Sequence, residues 1–398
     1  MKNSLLRSLA ALSAAALLLV GCGGGGGGGG GALPPSYAQY EGICTLEGQK
    51  SFVRAYLDEV YLWYNEIPTV DPAQFDNIPD YFNALLVRTP DANGQPKDRF
   101  SAVLPTSQAQ GILQQSFAQP QSSTATLLKN HTNAVPITNV VTTPGGRRVG
   151  YILFNDHATG AQDDLITAFR QIQAAGVADL VLDLRNNSGG FLYIAQTAAS
   201  MIAGPTSEGQ VFEQLRYNDK RQALTAASTL LFSSRVQFGE SQYPVGTQLP
   251  QLALPRVFVI TTGRTCSASE SIINSLRGID VQVIRVGSTT CGKPYGFTQK
   301  NNCGFAYFPI EFQGANAKGF GDYTTGFQPM CNIAESGVSA GSSSDPLLNG
   351  ALFYADNNAC PTGTATGVQS AGRPILSNEQ PSRPSWAGRL LLPQQQQR

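Results

Sequence analysis

Between residues 48 and 65, apolar side chains recur three and four apart, at Phe52, Val53, Tyr56, Leu57, Val60, Trp63 and Tyr64. That spacing predicts a helix, and Pro68 and Pro72 stop it. A second helix is predicted over 78–87, with Tyr81, Phe82, Leu85 and Leu86 apolar. From residue 148 the pattern changes to apolar runs alternating with amphipathic stretches. Strands are expected at 149–154, 180–184, 257–261 and 281–286, and helices at 163–175, 191–203 and 267–276. Alternation of this kind predicts an α/β layer architecture with a parallel sheet. The pattern of 305–312 predicts one more strand. Residues 346–354 read as a last helix, with Asp345 as cap and Pro346 in its first turn. Residues 101–145 are rich in Gln, Ser, Thr and Pro, with one short helix expected near Gln108–Phe117. The stretch after 313 is rich in Gly and Ser, and Gln394–Arg398 is a polar tail.

The chain has 398 residues, 41% of them apolar, which is enough for a sizeable core. Its formal net charge is zero, so nothing argues for nucleic acid as a partner or for a polybasic membrane surface. The N-terminus reads as a targeting segment: Lys2 and Arg7 precede an apolar run from Leu9 to Val20 that is too short to span a bilayer. It ends in Leu19-Val20-Gly21-Cys22, which resembles a bacterial lipobox. That resemblance implies cleavage before Cys22, lipidation of that residue and a stable acyl anchor. Gly23 follows the cysteine, in place of an aspartate that would retain the protein at the inner membrane. The expected location is therefore the cell envelope, facing the periplasm, at the outer membrane. Gly23–Gly31 is an unbroken glycine run and reads as a tether.

Six further cysteines remain, at 44, 266, 291, 303, 331 and 360. An even number in an exported protein reads as disulfides. Closeness in sequence favours Cys291–Cys303 and Cys331–Cys360, which leaves Cys44–Cys266. The spacings match no zinc site.

Three segments could carry chemistry. Asp183-Leu184-Arg185-Asn186-Asn187-Ser188-Gly189-Gly190 ends a buried strand and precedes a helix. Paired glycines at such a turn can expose backbone N–H groups to a developing oxyanion. Thr265-Cys266-Ser267-Ala268-Ser269-Glu270 follows another strand. It places Ser267, with Ser269 as a competing nucleophile, where a helix begins and its N–H groups favour negative charge. Ser267 and Glu270 also have the spacing of a capping box. Cys291-Gly292-Lys293 follows the next strand. A lysine can activate a serine once desolvation has made it neutral, and Pro294, Tyr295 and Phe297 offer apolar cover. His131 and His157 are the only histidines, so a serine–histidine mechanism would need one of them.

In this order, and with Val149-Gly150-Tyr151-Ile152 ahead of them, these segments resemble the catalytic domain of the S41 peptidases, the tail-specific or C-terminal processing proteases. The resemblance covers about residues 146–312. It implies a crotonase/Clp-protease-like α/β core with a small N-terminal helical region. By match to the motifs, Ser267 is the nucleophile and Lys293 the general base. Ala268 and a glycine N–H of Gly189 or Gly190 form the oxyanion hole. The family's glutamine four residues after the lysine is Phe297 here; Gln299 is the candidate to replace it. Only 49 positions separate Ser101 from Gly150, at the lower limit for a domain of roughly 50 residues. The family's PDZ domain is therefore expected to be absent or a remnant.

The expected organisation is a signal peptide over 1–21, a lipidated cysteine and tether over 22–36, and helices over 37–100. A connecting segment over 101–145, the catalytic domain over 146–360 and a tail over 361–398 follow. The expected function is hydrolysis of peptide bonds in envelope proteins, with a peptide or unfolded protein as substrate and with no metal and no cofactor. The alternatives are a non-catalytic lipoprotein of the same fold that binds peptide or a partner protein, and a crotonase-like acyl-CoA enzyme. Export argues against the latter.

Overall fold

The computed structural model describes residues 36–91, 94–109, 134–363, 365–366 and 390–391. Cys22, the glycine tether, most of the helix expected at 108–117 and the polar tail at 394–398 lie outside the described residues. Among the described residues, no helix is long and apolar enough to cross a membrane.

The N-terminal region contains α1 (Leu46–Val60), α2 (Ile78–Ala84) and β1 (Ala102–Pro105). Thr45 caps α1 by accepting from the Gly48 N–H, and Asn77 caps α2. The apolar side of these helices packs around Tyr307, with Phe52, Tyr56 and Phe82 against its ring.

The central sheet has seven strands. β3 (Arg148–Leu153), β4 (Asp179–Asp183), β8 (Arg256–Thr261), β9 (Gln282–Gly287) and β14 (Cys331–Asn332) run parallel. Antiparallel strands close both edges: β2 (Ile137–Thr142) beside β3, and β15 (Ala365–Thr366) beside β14. Successive residues of a strand face opposite sides. Val257 and Val259 therefore enter one core with α3 (Ala161–Ala174), α4 (Leu192–Ala203) and α5 (Ala268–Gly278). Phe258 and Ile260 enter another core under α6 (Pro346–Asn357). Cover on both faces is why these strands read as continuous apolar runs.

Smaller sheets flank this layer. β5 (Gly190–Phe191) pairs with β16 (Leu390–Leu391). β6 (Val211–Tyr217) lies between β7 (Thr229–Leu231) and β13 (Phe312–Ala315), with β10 (Tyr295–Gly296) outside β13. β12 (Phe305–Phe308) lies between β1 and β11 (Lys300–Asn302). The strand expected at 305–312 is thus two strands in two sheets. Pro309 has no N–H to continue a ladder, and β12 ends at Phe308 just before it. The described parts of 101–145 pair outward, β1 with β12 and β2 with β3.

Two of the three expected disulfides are corrected. The pairs are Cys44–Cys303, Cys266–Cys291 and Cys331–Cys360. Closeness in sequence misleads at Cys291 because β8 and β9 are adjacent parallel strands. The loops that leave their C-terminal ends, with Cys266 and Cys291, emerge side by side. Cys303 turns between β11 and β12, against the N-terminal region, where it meets Cys44.

Candidate active site

All three chemistry-bearing segments leave the C-terminal ends of the neighbouring parallel strands β4, β8 and β9. This is where open α/β sheets present their sites.

Ser267 sits between β8 and α5 with φ +56° and ψ −115°. A side chain rarely adopts a positive φ, and such strain persists only where the surroundings impose it. Ser267 is fully buried, and its Oγ makes no hydrogen bond. Glu270 Oε2 accepts the Ser267 N–H at 2.9 Å, the return bond of the expected capping box. Ser269, the competing serine, donates its hydroxyl to the Asn187 carbonyl at 3.0 Å. That bond ties it to the glycine turn.

Lys293 is also fully buried. Its Nζ lies 5.1 Å from the Phe100 ring centroid and 4.7 Å from that of Phe297. Phe297, which holds the position of the family's glutamine, is thus a ring beside the amine. Gln299 turns elsewhere, donating to Asn301 Oδ1 at 2.8 Å. From the N-terminal region, Arg99 donates to the carbonyls of Gly292 (3.3 Å) and Thr324 (3.0 Å), bracing the lysine turn.

The serine and lysine segments share two ties. One is the Cys266–Cys291 disulfide, between the residue before Ser267 and the residue two before Lys293. The other is the Glu270 carboxylate. Its Oε2 accepts the N–H of Ser267 (2.9 Å) and of Lys293 (2.8 Å), and its Oε1 accepts the Gly292 N–H (2.8 Å) and the Thr290 hydroxyl. Burial pushes this carboxyl above its ordinary range, against donors that pull it down. Its spacing from Ser267 marks Glu270 as a capping residue and nothing more. The reach to a segment more than twenty residues away leaves no local pattern.

The glycine turn abuts Ser267. Gly189 has φ +93°, and a Cβ there would lie 2.7 Å from the Cys266 carbonyl, 2.8 Å from Ser267 Cβ and 2.9 Å from the Ala268 nitrogen. Only glycine permits this approach. The Gly189 N–H is donated to Asn187 Oδ1 at 3.0 Å. Ala268, the first residue of α5, stands at the helix N-terminus. Asn187 organises the turn: its Nδ2 donates to the Phe154 carbonyl, and its own carbonyl accepts the Cys266 N–H at 3.1 Å.

Arg185 holds the base of the turn. It is 4% exposed and bridges Asp183 and Asp345, the latter being the N-cap of α6. His157 is fully buried, with Nδ1 2.9 Å from Asn187 Oδ1. Burial pushes its imidazole down to about 3, so it is neutral at ordinary pH.

The fold is α/β, with a strained serine at a strand-to-helix turn and a glycine turn against it. Residues 148–301 match the family described as peptidase family S41, and residues 48–102 match the peptidase S41 N-terminal domain. Together the two matches take in more than half of the chain, and the chain belongs to peptidase family S41. A carboxyl-terminal-processing protease from Picosynechococcus is 28% identical over 158 residues, which is 40% of this chain and 32% of that protein. The chain thus matches about a third of the length of this curated relative. A solved structure from Bacteroides fragilis, assigned to the S41 proteases, has a TM-score of 0.58 at 22% identity. It covers 77% of this chain and 97% of its own, and that likeness shows the shared fold.

Proposed function

We propose that this protein is a serine endopeptidase that acts on extended peptide segments of cell-envelope proteins through a Ser267–Lys293 dyad. The observation that carries the reading is the double tie of the serine and lysine segments, by the Glu270 carboxylate and the Cys266–Cys291 disulfide, with Ser267 on a strained elbow. Burial disfavours the charged form of a lysine, and a base needs the neutral one. In the reaction, Ser267 Oγ attacks the scissile carbonyl carbon and passes its proton to Lys293 Nζ. The oxyanion is held by N–H groups of Ala268 and the glycine turn. Lys293 Nζ then gives its proton to the leaving amine. The neutral Nζ next takes a proton from water as its oxygen attacks the acyl carbon, and passes that proton to Ser267 Oγ as the acyl–oxygen bond breaks.

With its Gly189 N–H committed to Asn187, the turn offers Gly190 as the second donor. We place Gln299 outside the dyad. The lipobox-like Leu19-Val20-Gly21-Cys22 supports attachment through Cys22 to the outer membrane, facing the periplasm. The binding-only reading is favoured by the displaced glutamine, but the serine, the lysine and the glycine turn, all present, weigh against it.

The test is casein hydrolysis by wild type beside Ser267→Ala and Lys293→Ala. Each variant is expected to lose at least ~10³ in kcat while staying folded. Full activity in either variant would refute the dyad.

A further inference from the structure

The strand next to the glycine turn already has a partner. Leu390–Leu391 runs parallel to Gly190–Phe191, in register Leu390 with Gly190 and Leu391 with Phe191. The same segment lies beside Tyr295–Gly296, just after Lys293. It therefore occupies the space between the oxyanion turn and the lysine strand.

The backbone accounting of β5 sharpens this. On one side His157 takes both bonds: the Phe191 N–H donates to the His157 carbonyl (2.7 Å), and the His157 N–H donates to the Gly189 carbonyl (3.4 Å). A partly buried strand must place its remaining groups somewhere, and amide groups of successive residues point to alternate sides. The Gly190 N–H and carbonyl thus face the side on which Leu390–Leu391 runs. The Gly190 N–H is the amide that the oxyanion hole needs. A second, independent observation agrees: a nucleophile that must meet a peptide has no exposed surface at all.

We infer that β5 is a peptide-docking edge for extended segments, and that this chain's own Leu390–Leu391 segment fills it, holding the enzyme in an autoinhibited state. This rests on the serine-peptidase reading above. A substrate strand adds to the same edge and must first displace the resident one. A segment of the same chain competes at an effective concentration of about millimolar order, so weak substrates are excluded and strongly pairing ones are admitted.

The experiment uses the full chain with Leu391→Pro, which removes the N–H that a parallel partner would give to Gly190, and a second variant lacking residues 380–398. Two readouts are taken. Fluorophosphonate labelling of Ser267 is expected to accelerate about tenfold or more in both variants. Hydrogen exchange of the 188–192 segment is expected to rise in parallel, with exchange in α4 unchanged. Labelling and exchange within twofold of wild type in both variants would overturn the inference. Ser267→Ala is labelled alongside: labelling that survives this change defeats the serine reading. The exchange data still decide whether the edge is occupied.

Discussion

The Cys266–Cys291 bond lies between the two halves of the proposed dyad, and its removal separates catalytic positioning from global stability. The perturbation is the double variant Cys266→Ala, Cys291→Ala. The two cysteines are 25 positions apart, and the chain-entropy relation for a loop of that length gives about 3.5 kcal/mol of lost stability. Spread over the compact unit Ser36–Arg398 at ~2.1 cal/mol/K per residue, this corresponds to a fall in Tm of roughly 5 °C. The protein should remain folded at assay temperature, since Glu270 still ties Ser267 to Gly292 and Lys293.

Activity should fall further than stability. A misplacement of about 1 Å at the reacting groups can reduce the rate 10²-fold, so kcat is expected to drop between about tenfold and a hundredfold with little change in KM. The control is built into the fold. Cys331–Cys360 has a separation of 29, nearly the same loop entropy, but joins β14 to the end of α6, outside the site. Cys331→Ala, Cys360→Ala should lose a similar amount in Tm with kcat unchanged. The assay is steady-state cleavage of a quenched peptide, with calorimetric Tm measured on each variant. Equal kcat losses in both double variants, or full kcat in Cys266→Ala, Cys291→Ala, would refute the positioning argument.

Gly189→Ala places a methyl group under 3 Å from the Ala268 nitrogen at φ +93°; kcat should fall by at least ~10² from the blocked oxyanion site, with about 1–3 kcal/mol of backbone strain visible in denaturant melts. Burial pushes the Glu213 carboxyl up to about 8. The folded protein therefore holds a proton there that the unfolded chain has released above its ordinary value near 4.5, and stability should decline as pH rises from 6.5 to 8 by roughly 2 kcal/mol. Urea melts across that window should show the slope in wild type and lose it in Glu213→Gln.

The elements that repeat a period are legible from the residues alone. Strands β3, β4, β8 and β9 and helices α1, α3, α4, α5 and α6 fall within a few residues of their expected places, because each buries a face or a whole strand and must be apolar there. The outer strands β2, β14 and β15 are not among those expected. β6 escapes that pattern: with Glu213 buried beneath α5 and Ser271 donating to it, its apolar signal is broken by a carboxylate. The split at Pro309 is marked in the sequence by the proline alone, because the apolar residues on either side of it look continuous.

At the site, what can be read are the candidate residues by type: a serine, a lysine and glycines in short motifs. What cannot be read is how they are held. The Glu270 bonds, the Arg185 bridge to Asp345 and the Cys266–Cys291 bond all join loops that leave different strands. Such ties follow from strand order, and strand order is a property of the sheet, not of any window along the chain. This also explains why the closest cysteines in sequence are the wrong partners at Cys291. Reaction chemistry selects residue identity locally, while the precision that chemistry needs is supplied by contacts of long sequence separation. A short motif is therefore enough to name the proposed nucleophile. Whether that nucleophile is presented to a substrate, or covered by Leu390–Leu391 at the edge of β5, is set by pairing between residues two hundred positions apart.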